Sequence, residues 1–417
     1  MLKIIYPIAC GIDVHKQFVV ATVGVTNSSG VTDYYTKQFS TFTCGLEELL
    51  SWLKSLNCTN VCMESTGKYW IPVFNILESD CSVFVANPKY VKGIRGKKTD
   101  VKDSVWLCDL HKHGLVPNSF IPPLPIRQIR DLMRYRCKLI SFRSSEKNRI
   151  QNSLTVSNIM LASVVSDPFG KSALNIIKYI LEHPNDTDFD VSQFMQKNMK
   201  SNAETLKKAV NGKLSEPQAD KMRTCFQHFD SIDNCIESIE KAALKIVDPY
   251  LDCIYIILTL PGISDIFTAI AILGEIGPDM SSFTSVKHLC SWAGLTPQNN
   301  ESAGKKKSVR VSRAGVYIKP LLIQCANAAI MSKKCNHFKL RYEKIKRKRG
   351  HKKAIIAIAR MLLTYIYHMI SKKQNFEISL HTFNSNFQKP AAKMTEDSAL
   401  AFLNSLGYNI QSRSASA

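Results

Sequence analysis

Acid is in short supply in this chain: 34 Asp and Glu stand against 55 Lys and Arg in 417 residues, a formal charge of +21 at neutral pH. Such an imbalance argues against a cationic partner and points to a polyanion, with nucleic acid the first choice. Any Cys-x-x-Cys pair is also missing. The 13 cysteines are scattered and odd in number, which excludes the usual structural zinc patterns and a disulfide framework. Cys62, Cys81, Cys253 and Cys290 sit in apolar stretches, where cysteine behaves as a small hydrophobe, and a reducing compartment is expected. Long unbroken hydrophobic runs are lacking too. The most apolar stretch, 354–370, is interrupted by Arg360 and His368 and is short for a bilayer. The first nine residues are apolar apart from Lys3, but cleavage after them would cut into the best candidate strand, so no signal is read there. The expectation is a soluble cytoplasmic protein, not associated with membrane.

What is present begins with clustered cations, at 92–98, 127–149, 305–313 and 341–353. Any one cluster reads as a solvated face or a tail. Four of one sign, each beside a periodic apolar segment, favour binding.

Residues 8–14, 18–25 and 31–39 read as strands, with Asn27-Ser28-Ser29-Gly30 as a turn. Leu46, Leu49, Leu50, Leu53 and Leu56 follow at helical spacing. A strand at 60–63, a helix at 70–78, a strand at 82–86 and a helix at 100–113 come next. A three-strand meander followed by alternating helix and strand is the order of a ribonuclease-H-like α/β fold. Proline-rich residues 117–125 close this first domain, 1–125. Ile126, Ile129, Met133, Cys137 and Ile140, then Ile150 and Leu154, predict a long helix opening a coiled-coil-like middle region, 126–250. That helix reads equally as an amphipathic core element or as a basic rod that dimerises or lies along nucleic acid. A mostly helical unit, 251–375, and a tail, 376–417, complete the chain. In that unit Leu260-Pro261-Gly262 joins two apolar helices in a helix-hairpin-helix pattern, whose amides can hold a DNA phosphate. Residues 296–313 read as a polar, basic loop.

The chemistry is expected at acidic positions. Asp13 lies in a strand whose neighbours Ile12 and Val14 face the other way. Glu64 directly follows a strand, where α/β folds place ligands. Asp100 and Asp103 share a helix face. Such oxygen donors suit Mg²⁺ or Mn²⁺. An alternative gives the last pair a purely local job, Thr99 or Asp100 as N-cap and Asp103 as an acid in the first turn. Asp109 is expected to face solvent. His15, His111 and His113 are candidate ligands or bases, although a lone histidine near a site is more often a supporting or structural residue.

Gly11-Ile12-Asp13-Val14-His15-Lys16, Met63-Glu64-Ser65-Thr66-Gly67 and Lys98-Thr99-Asp100-Val101-Lys102-Asp103 resemble the three acidic blocks of the DEDD insertion-sequence transposases. These are bridge-RNA-guided recombinases with a Holliday-junction-resolvase-like (RuvC-like) N-terminal domain. Leu260-Pro261-Gly262-Ile263, residues 283–294, Leu295-Thr296-Pro297 and Asn300-Glu301-Ser302-Ala303-Gly304-Lys305 resemble the second half of the same family. The likeness spans roughly residues 8–335 and leaves 155–250 unmatched.

The resemblance implies a metal-binding quartet of Asp13, Glu64, Asp100 and Asp103, with Ser302 as the nucleophile that joins DNA covalently. It implies a guide RNA and a composite site built by a dimer or tetramer. Lys305, Lys306, Lys307, Arg310 and Arg313 are suited to neutralise the scissile phosphate, and Gly262 to the hairpin's DNA contact. Two rivals stand beside the recombinase: a metal-dependent junction nuclease in which water attacks, and a helix-hairpin-helix binding protein with no activity.

Overall fold

The computed structural model describes residues 3–91, 99–184, 186, 189–196, 202–297, 300–302, 305–308, 310–333 and 335–378, with backbone alone at 89–90, 300–302 and 305–308. The chain divides into two compact units, Met1–Ile121 and Pro122–Ala417.

In the first unit, runs rich in β-branched residues form β1 (Ile8–Val14), β2 (Phe18–Thr26) and β3 (Thr32–Ser40). The Asn27 side chain accepts the Ser29 and Val31 amides and closes the β2–β3 turn. Then come α1 (Thr43–Ser55), β4 (Asn60–Glu64), α2 (Trp70–Leu77), β5 (Ser82–Ala86), the single turn α3 (Pro88–Val91) and α4 (Asp100–Lys112). The sheet order is β3-β2-β1-β4-β5. The first three strands pair antiparallel, and β4 joins β1 and β5 in parallel. This mixed five-stranded sheet is compatible with a ribonuclease-H-like arrangement.

The period of two along the strands separates two interfaces. Cys10, Ile12, Val14, Val61 and Met63 form one core with Leu46, Leu49 and Leu53 of α1 and Val73 and Leu77 of α2. Cys62 faces the other way and packs with Leu107 of α4. The α4 face is unusually polar. Ser104 bonds Thr22 at 2.7 Å, and the Lys112 ammonium, buried, donates to the carbonyls of Pro7 and Gly24 at 2.8 and 2.9 Å.

The second unit is almost wholly helical. A long α5 (Leu124–Val156) leads into α6 (Leu161–Val164), α7 (Lys171–Glu182) and α8 (Ala203–Val210), and α9 (Glu216–Val247) returns beside α5. Ion pairs Arg136–Glu240, Arg143–Asp233 and His228–Glu146 show that the two long helices run antiparallel. Beyond them Ile150, Leu154, Ile176, Ile177, Leu206 and Met222 build a small core of their own. α5 and α9 thus form a helical hairpin, and the described residues between them, unreadable by motif, pack at its tip.

Two expectations need correction here. Cys137 is exposed and Leu139 is buried in its place, because α5 turns from packing on one helix to packing on α9. The arginines of 127–149 are largely paired inside the unit, with Glu275, Glu240, Asp233 and Glu146.

The C-terminal helices are α10 (Leu251–Leu258), α11 (Ile266–Ile276), α12 (Val286–Trp292), α13 (Ile318–Met331), α14 (His337–Arg349) and α15 (His351–Lys372). Between α12 and α13 lies a hairpin of β6 (Asn300–Ser302) and β7 (Lys305–Ser308). α15 is the one described helix long and apolar enough to cross a membrane by length and composition. Its buried stripe, from Ala354 to Ile370, packs against α10, α12, α13 and α14.

Gly274 lets α5 approach α11 closely, since a Cβ there would lie 3.2–3.3 Å from Ile129 and the Arg130 backbone. Arg130 then donates to the carbonyls of Gly274 and Glu275, both at 2.9 Å. Arg134 holds the buried Glu275 carboxylate with two bonds of 2.6 and 2.8 Å and stacks on Tyr317. Breaking such a pair strands a buried charge. Arg134→Ala is expected to cost about 3 kcal/mol in urea unfolding. Arg134→Met combined with Glu275→Met is expected to recover most of it; equal losses in both variants would refute this account.

Candidate metal centre

The site is set by how closely α4 lies on β1. A Cβ on Gly11 would fall 2.2 Å from the Ser104 carbonyl oxygen and 2.3 Å from the Cys108 amide nitrogen. No other residue allows that approach. Gly11 therefore faces α4, and with a period of two so does Asp13. In the parallel pair, Gly11 is level with Cys62 and Ile12 with Met63, so the next step sets Asp13 beside Glu64. Both carboxylates stand at the carboxyl ends of their strands, on the side where α4 begins.

Thr99 caps α4, its hydroxyl accepting the Lys102 amide at 3.3 Å, and its carbonyl accepts the Asp103 amide. Asp100 and Asp103 occupy the first turn, where the helix dipole favours negative charge. The local role and the metal role are therefore compatible. Asp103 sits one place further along than an acid in a capping box.

The structure brings Asp13, His15 and Asp100 together. His15 Nε2 is 3.2 Å from Asp13 Oδ2 and 3.4 Å from Asp100 Oδ1, and the three groups offer ligand atoms within 4.8 Å of one another. Burial pushes the Asp13 carboxyl above its ordinary range; attraction to His15 opposes this, and the charges of Asp103 and Asp100 push it higher. Oxygen donors gathered around a partly buried carboxylate are the chemistry of a divalent-cation site.

His15 is a residue that sequence reasoning set aside. The signal was there: it follows Asp13 by two, so the end of β1 turns both toward α4. His111 is structural, stacked between Tyr6 and Phe84 and pushed down to about 4 by burial. His113 lies at the far end of α4 against the Lys3 carbonyl. Asp109 does not simply face solvent; it accepts the Tyr34 hydroxyl at 2.6 Å.

In the second unit, Ser302 ends β6 and is paired with Lys305 of β7. The expected loop is thus a β-hairpin, hidden because Lys-Lys-Lys and Asn-Glu-Ser carry no apolar alternation. The side chains of Ser302, Lys305, Lys306 and Lys307 lie outside the described residues; Arg310 and Arg313 are exposed. The base of the hairpin is tightly crossed. Gly294 and Gly315, at φ +68° and +66°, lie against the Ala314 and Ala293 carbonyls, where a Cβ would come within 2.4 and 2.2 Å. Lys319 Nζ fastens the same crossing, donating to the carbonyls of Ser312 and Ala314 at 2.7 and 2.9 Å.

Gly262 joins α10 to α11 at φ +94°, and a Cβ there would lie 2.4 Å from the Cys325 carbonyl of α13. Its place is explained by packing. The start of α11 is capped by Asp265, which accepts the Thr268 amide at 2.9 Å.

Comparison with known proteins bears on both units. A family model for DEDD-type IS110 transposases, described as Transposase, matches residues 10–159 and so takes in every one of the four acidic positions. A second, described as Transposase IS116/IS110/IS902 family, matches residues 254–343 and takes in the β6–β7 hairpin. The chain belongs to the IS110 family of transposases. It is also similar to two curated proteins named pilin gene-inverting protein, from Moraxella bovis and Moraxella lacunata. Each is 32% identical over 134 residues, covering 30% of this chain and 39% of the relative. The match thus spans well under half of those relatives.

The sign of the Asp13 shift makes a prediction. Its folded-state pKa is raised, so its contribution to stability is fully present at low pH and lost as pH rises through the raised value. Asp13→Asn is therefore expected to melt above wild type in EDTA at about pH 7, with no gain below about pH 4, where Asp13 is protonated. Added Mn²⁺ is expected to raise the melting temperature of wild type and not of Asp13→Asn. A variant that melts lower in EDTA, or keeps the Mn²⁺ shift, would contradict the site.

Proposed function

We propose that this chain is the DNA transposase-recombinase of an insertion sequence, cutting and rejoining DNA through a covalent serine ester. The observation that carries the reading is the meeting of Asp13, His15 and Asp100 at the carboxyl end of the sheet, in a chain of the IS110 family. Asp13, Glu64, Asp100 and Asp103 would hold Mg²⁺ or Mn²⁺, for which carboxylate oxygens are the natural ligands. When bound, the ion supplies Lewis-acid polarisation of a phosphodiester oxygen and eases loss of a hydroxyl proton.

Ser302 is the nucleophile in this reading. Its oxygen bonds to phosphorus, the bond to one deoxyribose oxygen breaks, and that oxygen leaves as a hydroxyl carrying the proton. After strand exchange a sugar hydroxyl attacks the phosphoserine, the serine hydroxyl is regenerated and the backbone is resealed. The ester conserves the phosphodiester, so no nucleotide is consumed. Lys305, Lys306, Lys307, Arg310 and Arg313 neutralise the phosphate undergoing attack, and the Gly262 turn adds a phosphate contact. A noncoding bridge RNA selects the DNA, and two or more protomers complete each site in the cytoplasm of a prokaryotic cell.

Trapping on labelled element-end DNA, with Mg²⁺ and RNA copied from the sequence flanking the gene, tests this. Wild type is expected to give a protein-DNA adduct that Ser302→Ala abolishes and EDTA prevents. Free DNA ends without an adduct would replace the reading with a water-dependent nuclease. Mixing Ser302→Ala with Asp13→Ala protein is expected to restore the adduct, whereas a site confined to one chain predicts an inactive mixture.

A further inference from the structure

The cations of the second unit meet two different fates. Along α5, Arg134, Arg136, Arg143 and Arg149 each pair with a carboxylate. From 339 to 353, by contrast, nine Lys and Arg accompany a single acid, Glu343. Among the described residues none of these nine makes an ion pair, and Lys346 alone is over a ring, that of Tyr342.

Helix stability explains only half of this arrangement. Arg347, Lys348 and Arg349 lie in the last turn of α14, where the dipole favours cations. Lys352 and Lys353 lie in the first turn of α15, where it disfavours them, and no acid is there to offset them. Gly350, at φ +78°, is the hinge between the two, with open space where its Cβ would be and no side-chain cap for α15. Two helix ends thus bring exposed cations to one corner at a cost to the free fold. An anion from outside removes that cost.

We propose that this α14–α15 corner holds the phosphate backbone of duplex DNA, without reading its sequence. Charge complementarity selects a polyanion, and the choice of DNA rests on the function proposed above. Among the described residues the corner offers little aromatic surface for unstacked bases: Tyr342 is buried and hydrogen-bonded at 2.8 Å to His351, whose ring is the exposed one. Single-stranded RNA is usually gripped by such stacking. The surface lies largely past residue 343, where the second family match ends.

Salt dependence of binding by the full chain tests the corner. Anisotropy titrations use a mixed-sequence DNA duplex in EDTA, so that no strand is cut. The variant carries Arg347→Ala, Lys348→Ala, Lys352→Ala and Lys353→Ala. Loss of four phosphate contacts is expected to flatten the slope of log K against log salt by roughly 3 to 4. A control with Lys207, Lys208, Lys241 and Lys245 changed to Ala loses the same charge and is expected to keep nearly the wild-type slope. The corner variant is expected to melt no lower than wild type. If it does melt lower, Lys352→Gln with Lys353→Gln serves instead, with about half the slope change. Equal slopes in all proteins, equal changes in corner and control variants, or a loss confined to an RNA probe would each overturn the proposal. The serine adduct is scored separately: a changed slope without adduct keeps the surface and removes the recombinase, and the reverse removes only the surface.

Discussion

The close contact of α4 with β1 at Gly11 is the constraint on which the first unit depends. Two backbones meet where a side chain would otherwise stand, 2.2 Å from the Ser104 carbonyl. That contact fixes where α4 starts, and so carries Asp100 to the side chains of Asp13 and His15. It also explains the polarity of the interface. Ser104, Cys108 and Lys112 are small or hydrogen-bonded residues because bulky apolar ones do not fit between a helix and a sheet this close. The cost of gathering carboxylates is offset only in part. The α4 dipole favours Asp100 and Asp103, while Asp13 stays repelled and partly desolvated.

Positive charge does two jobs in the second unit. Arg130 and Arg134 tie α5 to the end of α11, and the arginines further along α5 hold α9. These are interior cross-links of a helical arm whose core, outside the tip, is thin. The Gly294–Gly315 crossing and Lys319 serve the hairpin in a similar way, fixing the base of the strand that ends at Ser302. At α14–α15 the cations have no such internal use.

Much of the first unit was legible in sequence. Alternation in 8–14 and 18–25 and helical spacing in 46–56 are strong signals, and the observed elements fall within a few residues of them. Asp13, Glu64 and Asp100 were readable because strand ends and helix starts are local features. His15 was only half readable: its spacing of two from Asp13 is a local signal, but its meaning depends on α4, some 85 residues away. The arginines of 127–149 were unreadable for the same reason: their acidic partners, Glu240, Asp233 and Glu275, lie 104, 90 and 141 residues downstream. The β6–β7 hairpin escaped because its strands are short and polar, held by the crossing beneath them.

The central claim is that the close seat of α4 on β1 builds a cation site from the strand ends and the first helical turn. A crystal of the protein soaked in Mn²⁺, with anomalous difference density, measures this most directly. The account expects a peak at about 2.0–2.2 Å from carboxylate oxygens of Asp13 and Asp100, with Glu64 or Asp103 completing the shell directly or through water. A peak elsewhere, or none beside Asp13 at saturating Mn²⁺, would contradict it.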